Sequence, residues 1–285
     1  MDSPTVLRRR LGSELRRLRE GAKLQAKSAA DSLGFSATKV SRIESGQTTL
    51  KESDVRAMLE LYGVTDEAEL RQFITLTRRS TQRGWWHDYG EALPEWFQTY
   101  VGLEADASRI RTYESGLVPG LFQTAGYARE IFRTHDRNQS SDATIERRVK
   151  LRLQRQEIIR DPSALTVHSV VSEAVLRRPV GGAEVMAQQV KHLIATAQQS
   201  NITVQVIPFT VGAHPALSTN FRILSFSDVP GEIAYSEALT SSIYIEKQSD
   251  IAWHATAFDQ LTALALTPED TIAWMHRLVS EEYAA

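Results

Sequence analysis

The chain contains no cysteine. Disulfides, thiolate zinc sites, iron–sulfur clusters and thiol nucleophiles are therefore excluded, and the composition fits a reducing compartment. No stretch approaches eighteen consecutive apolar residues, which removes a helical membrane span. The opening residues Met1–Arg8 lack the basic region and apolar run of a secretion signal. The expectation is a cytoplasmic protein with no membrane partner. Catalytic signatures are missing as well: there is no G-x-S-x-G elbow, no phosphate loop and no G-x-G-x-x-G. The histidines, His87, His135, His168, His192, His214, His254 and His276, are scattered. None has a second histidine three or four residues away, the spacing of a helical metal pair. No cofactor, no metal and no enzymatic activity are expected.

What is present is enough chain for about two domains, 285 residues, with an uneven distribution of charge. Residues 1–51 hold 11 Lys and Arg against 5 Asp and Glu, whereas residues 160–285 hold 7 against 13. A basic head on an acidic body points toward polyanion binding at one end. Charge alone does not separate that reading from a solvated helix face.

The head reads as short helices. Leu11, Leu15 and Leu18 recur at helical spacing over residues 7–20. A second helix covers about residues 25–32 and stops at Gly34, where a positive φ suits glycine. Ser36 is placed to cap a third helix over residues 37–44, with Val40 and Ile43 inward. A fourth, about 51–62, has Thr49 or Ser53 as cap and buries Val55, Leu59 and Tyr62. Two short helices joined by a glycine-bearing turn are the arrangement of a helix-turn-helix reader. Over these residues, Leu24-Gln25-Ala26-Lys27 through Leu33-Gly34-Phe35-Ser36 to Val40-Ser41-Arg42-Ile43-Glu44-Ser45-Gly46, the sequence resembles the phage-repressor, or Xre-type, helix-turn-helix.

The resemblance implies that helix 37–44 enters the major groove of a double-stranded DNA operator. Ala37, Thr38, Ser41 and Arg42 would face outward, with Ser36 and Lys39 nearer the phosphates. Arg42 suits a guanine edge and Thr38 offers a hydroxyl or methyl, while Ala37 makes only apolar contact. Lys27 and helix N-termini would hold phosphates. The family often places a phosphate-binding glutamine where this chain has Ala26. Either Gln25 substitutes, or one phosphate contact is missing. Gln47 completes the candidate set. The resemblance also implies a structural pair between Arg19 and Glu44.

A further helix over residues 64–83, with Thr65 as cap and Leu70, Phe73, Ile74 and Thr77 inward, is expected to link the head, residues 1–63, to a body of residues 84–285. Trp85, Trp86, Tyr89 and Trp96 crowd the start of the body. They line a ligand or partner surface, or they seat the linker against a second core. Residues 101–135 read as helical stretches around the turn 117–121. A polar break at 138–142 follows, with Asp142 as cap of a charged helix over about 143–160. Strands are expected at 165–171, 202–208, 221–226, 233–237 and 242–246. Helices are expected at about 183–200, at 249–265 and from Thr267-Pro268 onward. The fold class is α+β: an all-α head, then a larger domain with a mostly antiparallel sheet and flanking helices. The repeated Tyr235/Glu237 and Tyr244/Glu246 pairs place both members on one sheet face, lining a charged pocket or bonding to loops.

The body is similar to that of the actinobacterial antitoxin-like Xre regulators, through Gly84-Trp85-Trp86, Tyr100-Val101-Gly102-Leu103-Glu104, Leu117-Val118-Pro119-Gly120-Leu121, Leu176-Arg177-Arg178-Pro179-Val180-Gly181-Gly182 and Val206-Ile207-Pro208-Phe209. This implies a transcriptional regulator with a small acidic protein partner. A homodimer is expected on physical grounds, because one short reading head has limited specificity. Two other readings stay open. One is a sequestering, antitoxin-like interaction module that binds DNA weakly. The other is a regulator whose body takes a small-molecule effector.

Overall fold

The computed structural model describes residues 3–82, 84–93, 95–135, 140–227 and 231–283, with the side chains of residues 91, 92, 95 and 96 outside that description. The chain divides into two compact units: Met1–Asp88 with Thr99–Asp106, and Tyr89–Gln98 with Ala107–Ala285.

The first unit contains helices α1 (Pro4–Gly21), α2 (Ala26–Leu33), α3 (Ala37–Glu44), α4 (Glu52–Leu61) and α5 (Glu67–Ser80), with the later part of α6 (Glu95–Asp106). Each helix turns one apolar stripe inward. Leu11, Leu15, Ala29, Ile43, Val55, Met58 and Leu59 share a core with Tyr62, Phe73 and Ile74. The helix expected as a link, α5, therefore contributes to the core of the head. The third helix has the limits expected, and Gly34 ends α2 at φ +65°. Two caps differ. Lys51 occupies the cap position of α4 with no side-chain bond, and Asp66 rather than Thr65 caps α5 by accepting from the Ala68 N–H.

In the second unit, β1 (Arg109–Glu114) is followed by α7 (Ala125–His135), α8 (Asp142–Arg155), β2 (Thr166–Ser172), α9 (Glu173–Arg177), α10 (Ala183–Thr196) and β3 (Ile202–Ile207). Next come β4 (Phe221–Ser225), β5 (Glu232–Glu237), β6 (Ser242–Ile245), α11 (Gln248–Leu264) and α12 (Pro268–Glu282). The strands form one sheet in the order β3-β2-β1-β4-β5-β6. β1, β2 and β3 run parallel, joined by helical crossovers, whereas the three remaining pairs are antiparallel. The α+β class holds, and the sheet is mixed. Ser141, not Asp142, caps α8, and residues 138 and 139 of the expected polar break lie outside the described residues.

The main departure from expectation is β1, which sits in the middle of the sheet although residues 101–135 read as helices and a turn. Its sequence, Arg-Ile-Arg-Thr-Tyr-Glu, is half charged, and charged side chains normally mark a surface. Arg109 is exposed, but Arg111 and Glu114 are buried because partners arrive from far along the chain. Arg111 Nη2 donates to Glu232 at 2.9 Å, and Glu114 accepts from Arg222 Nη2 at 2.5 Å. On one face Tyr113, Val170, Phe221, Ile223 and Ala234 pack beneath Ile251, Phe258 and Leu261 of α11.

Candidate nucleic-acid interface

The geometry of α3 follows from what holds it. At its start the Ser36 hydroxyl accepts from the Lys39 N–H at 3.1 Å, satisfying one of the amides that a helix leaves unbonded. Along its length Val40 and Ile43 are fully buried. The remaining face carries Ala37, Thr38, Ser41 and Arg42, all exposed, and Gln47 is exposed just beyond it. A helix with one face locked into a core and the other lined by small side chains and one arginine can approach a groove closely.

At its end, Arg19 and Glu44 form a two-pronged pair, Nε to Oε1 at 2.6 Å and Nη2 to Oε2 at 2.9 Å. Arg19 Nη1 also donates to the Leu24 carbonyl at 2.7 Å. Both side chains are more than nine-tenths buried, so the two residues bond one another and leave nothing for solvent. The hydrogen bonding it donates to Glu44 is the main cause holding the Arg19 guanidinium above its ordinary value. Nearby, burial first and then the Glu44 charge push the Tyr62 phenol up to about 12, against a smaller opposing effect of Arg19.

Two glycines let α1 lie against the same end of α3. A Cβ on Gly12 would fall 2.4 Å from the Ile43 carbonyl oxygen and 2.7 Å from that of Glu44. A Cβ on Gly46, at φ +69°, would fall 2.6 Å from Arg9 Cα. The sequence reading missed Gly12. Its signal was available, since a glycine inside an amphipathic helix costs about 1 kcal/mol and so points to a packing reason.

The phosphate-facing candidates differ among themselves. Gln25 sits at the N-cap position of α2 without bonding its amides, and both Gln25 and Lys27 are exposed. Lys39 is already engaged: its Nζ lies 3.1 Å from Asp54 Oδ2 and 3.4 Å from the centre of the Phe35 ring. Asp54→Ala is therefore expected to release Lys39. If DNA passes this helix start, the dependence of log K on log salt should steepen by about one phosphate contact. An unchanged slope in a salt titration would place Lys39 away from the backbone.

The described side chains among the aromatics read as a ligand or partner surface, or as seating the linker, differ in burial from one another and from Glu237 of the Tyr235/Glu237 pair. Trp86 and Tyr89 are buried. Trp86 packs edge-on to half-buried Trp85, with ring centres 5.9 Å apart, and a Cβ on Gly102 would touch its ring. Tyr89 donates its hydroxyl to Gln154. These aromatics are core, because their size makes burial more favourable than display. The Trp96 side chain lies outside those described. Glu237 is exposed and belongs to the sheet, 3.6 Å from Arg222 and 3.3 Å from the Tyr235 hydroxyl.

Comparison with known families finds two matches. Residues 10–73 match a family model described as a helix-turn-helix domain. Residues 97–277 match one described as a domain of unknown function, DUF5753. No curated protein and no solved structure gives a significant match. Among the described residues, no helix is long and apolar enough to cross a membrane.

Proposed function

We propose, for a chain that belongs to the DUF5753 family and carries a helix-turn-helix domain at its head, a transcriptional regulator that binds double-stranded DNA sequence-specifically. The observation that carries this reading is α3 itself. Its inner face and its end are fixed by Val40, Ile43 and the Arg19–Glu44 pair, while Ala37, Thr38, Ser41 and Arg42 stand clear. Arg42 reads a guanine edge, Thr38 and Ser41 bond to neighbouring bases, and Ala37 admits a thymine methyl. Gln25, Lys27, Ser36 and Gln47 set the register on the phosphates. The reading head extends through α5, since Phe73 and Ile74 lie in its core. The body then serves dimerisation or the small acidic partner that the resemblance implies.

The test is fluorescence anisotropy of the full chain on its own upstream DNA and on a scrambled duplex, across a salt series. Arg42→Ala should weaken binding to the specific DNA by about 1–3 kcal/mol and relax discrimination, while non-specific binding changes little. Equal affinity for both duplexes, unaltered in Arg42→Ala, would overturn the reading of α3 as the sequence reader.

A further inference from the structure

The two outer strands of the sheet are treated differently by the rest of the chain. β3 is closed by the chain itself: the Leu266 N–H donates to the Val206 carbonyl at 2.9 Å, and the Val206 N–H donates to Thr271 Oγ1 at 3.1 Å. β6 is the last strand on the other side and reads Ser-Ile-Tyr-Ile. It is short, four residues, but within them it carries none of the charges, prolines or bulges by which natural edge strands avoid pairing with another chain. Ile243 on this strand is 60 % exposed, and Leu239 in the turn leading to it is 76 % exposed.

From this edge we propose that β6 pairs with β6 of a second copy of the chain, antiparallel about a two-fold axis, joining two sheets into one. An antiparallel edge is its own complement, which a two-fold axis satisfies without a second kind of surface. Charge does not oppose this occupant. The bond from the Ala238 N–H to the Ser241 carbonyl sets the alternation of the hairpin, so that Ser242 turns its backbone groups away from β5. Of the symmetric registers that use that direction, two are centred in the middle of the strand, one on Ile243 and one on Tyr244. The first sets Glu246 against Thr240 and Lys247 against Leu239. The second sets Glu246 against Ser242 and Lys247 against Ser241. No like charges meet in either. The inference stands without the DNA reading, although a two-headed molecule is what a two-half-site operator requires.

The experiment is sedimentation equilibrium of the full chain without DNA, so that failure of DNA binding and failure of pairing are read separately. The wild-type chain should be a dimer at micromolar concentration. Ile243→Lys, an exposed position where the fold tolerates a charge, should be a monomer at the same concentration with unchanged circular dichroism. Trp253→Lys, equally exposed on α11, should remain a dimer. Amide exchange adds a readout specific to strand pairing, because the Ser242 N–H should be protected in the concentrated protein and lose protection on dilution. A monomer at every concentration overturns the proposal. So does a dimer that survives Ile243→Lys, or one broken by Trp253→Lys alone.

Discussion

Replacing Gly12 by valine is expected to destabilise the head by about 3 kcal/mol, the upper end of the roughly 1–3 kcal/mol typical of overpacking. The obstacles are two backbone carbonyl oxygens, those of Ile43 and Glu44, at 2.4 and 2.7 Å from where the first added carbon would sit. Neither can rotate away as a side chain would, so α1 must retreat from the end of α3. That retreat also stretches the Arg19–Glu44 pair, which spans the same two helices. Gly12→Ala should cost less, because alanine's better helix propensity offsets about 1 kcal/mol. Gly21→Ala is the control: it lies at the end of α1 with nothing within 4 Å, and it should be neutral or slightly stabilising. Thermal unfolding checks the order, with the Gly12→Val transition of the head lower by about 12 °C or more for a unit of this size. DNA affinity measured below that transition should also fall, since Arg42 rides on the displaced helix. A Gly12→Val protein as stable as Gly21→Ala would show that the close approach is not required.

The contrast between α3 and β1 shows what local sequence can carry. Everything that delimits α3 lies within a dozen residues: Gly34 stops the preceding helix, Ser36 caps, and Val40 and Ile43 mark the inward face. Such signals act largely through neighbouring backbone, so they are legible without knowing the tertiary partners. The buried ion pair at the end of α3 came from family resemblance, because its partners are 25 residues apart. β1 shows the opposite case. Arg111 and Glu114 contradict a buried strand until Glu232 and Arg222, 121 and 108 residues away, neutralise them. The aromatic cluster at 85–100 was visible as a concentration of rings. Whether a ring faces solvent or core depends on what packs over it, and Trp86 and Tyr89 turned inward.

The same buried charges give the second large effect. Arg222→Met is expected to cost about 3–5 kcal/mol in the body at neutral pH, because it leaves the Glu114 carboxylate buried without its counter-charge. Glu114 is only 4 % exposed. Burial is the main cause pushing its acid up from the ordinary carboxylate range, and attraction to Arg222 and the hydrogen bond from it oppose that push. The sign of the pH dependence follows. A folded-state pKa above the unfolded value means that the folded protein binds the proton more tightly. The penalty of ionised Glu114 therefore grows as pH rises through that window and vanishes on the acid side. Removing Arg222 raises the folded value further, so the loss in Arg222→Met should shrink as pH is lowered toward the ordinary carboxylate range. Adding Glu114→Gln to Arg222→Met removes the unpaired charge and should restore most of the stability. Urea unfolding of the two single variants and the double variant, at neutral and at acid pH, measures the coupling directly. Additive effects with no pH dependence would mean that the pair is screened and that β1 tolerates its charges for another reason. Strong coupling that fades in acid would identify Arg222 as the residue that makes Glu114 admissible in the middle strand of the sheet.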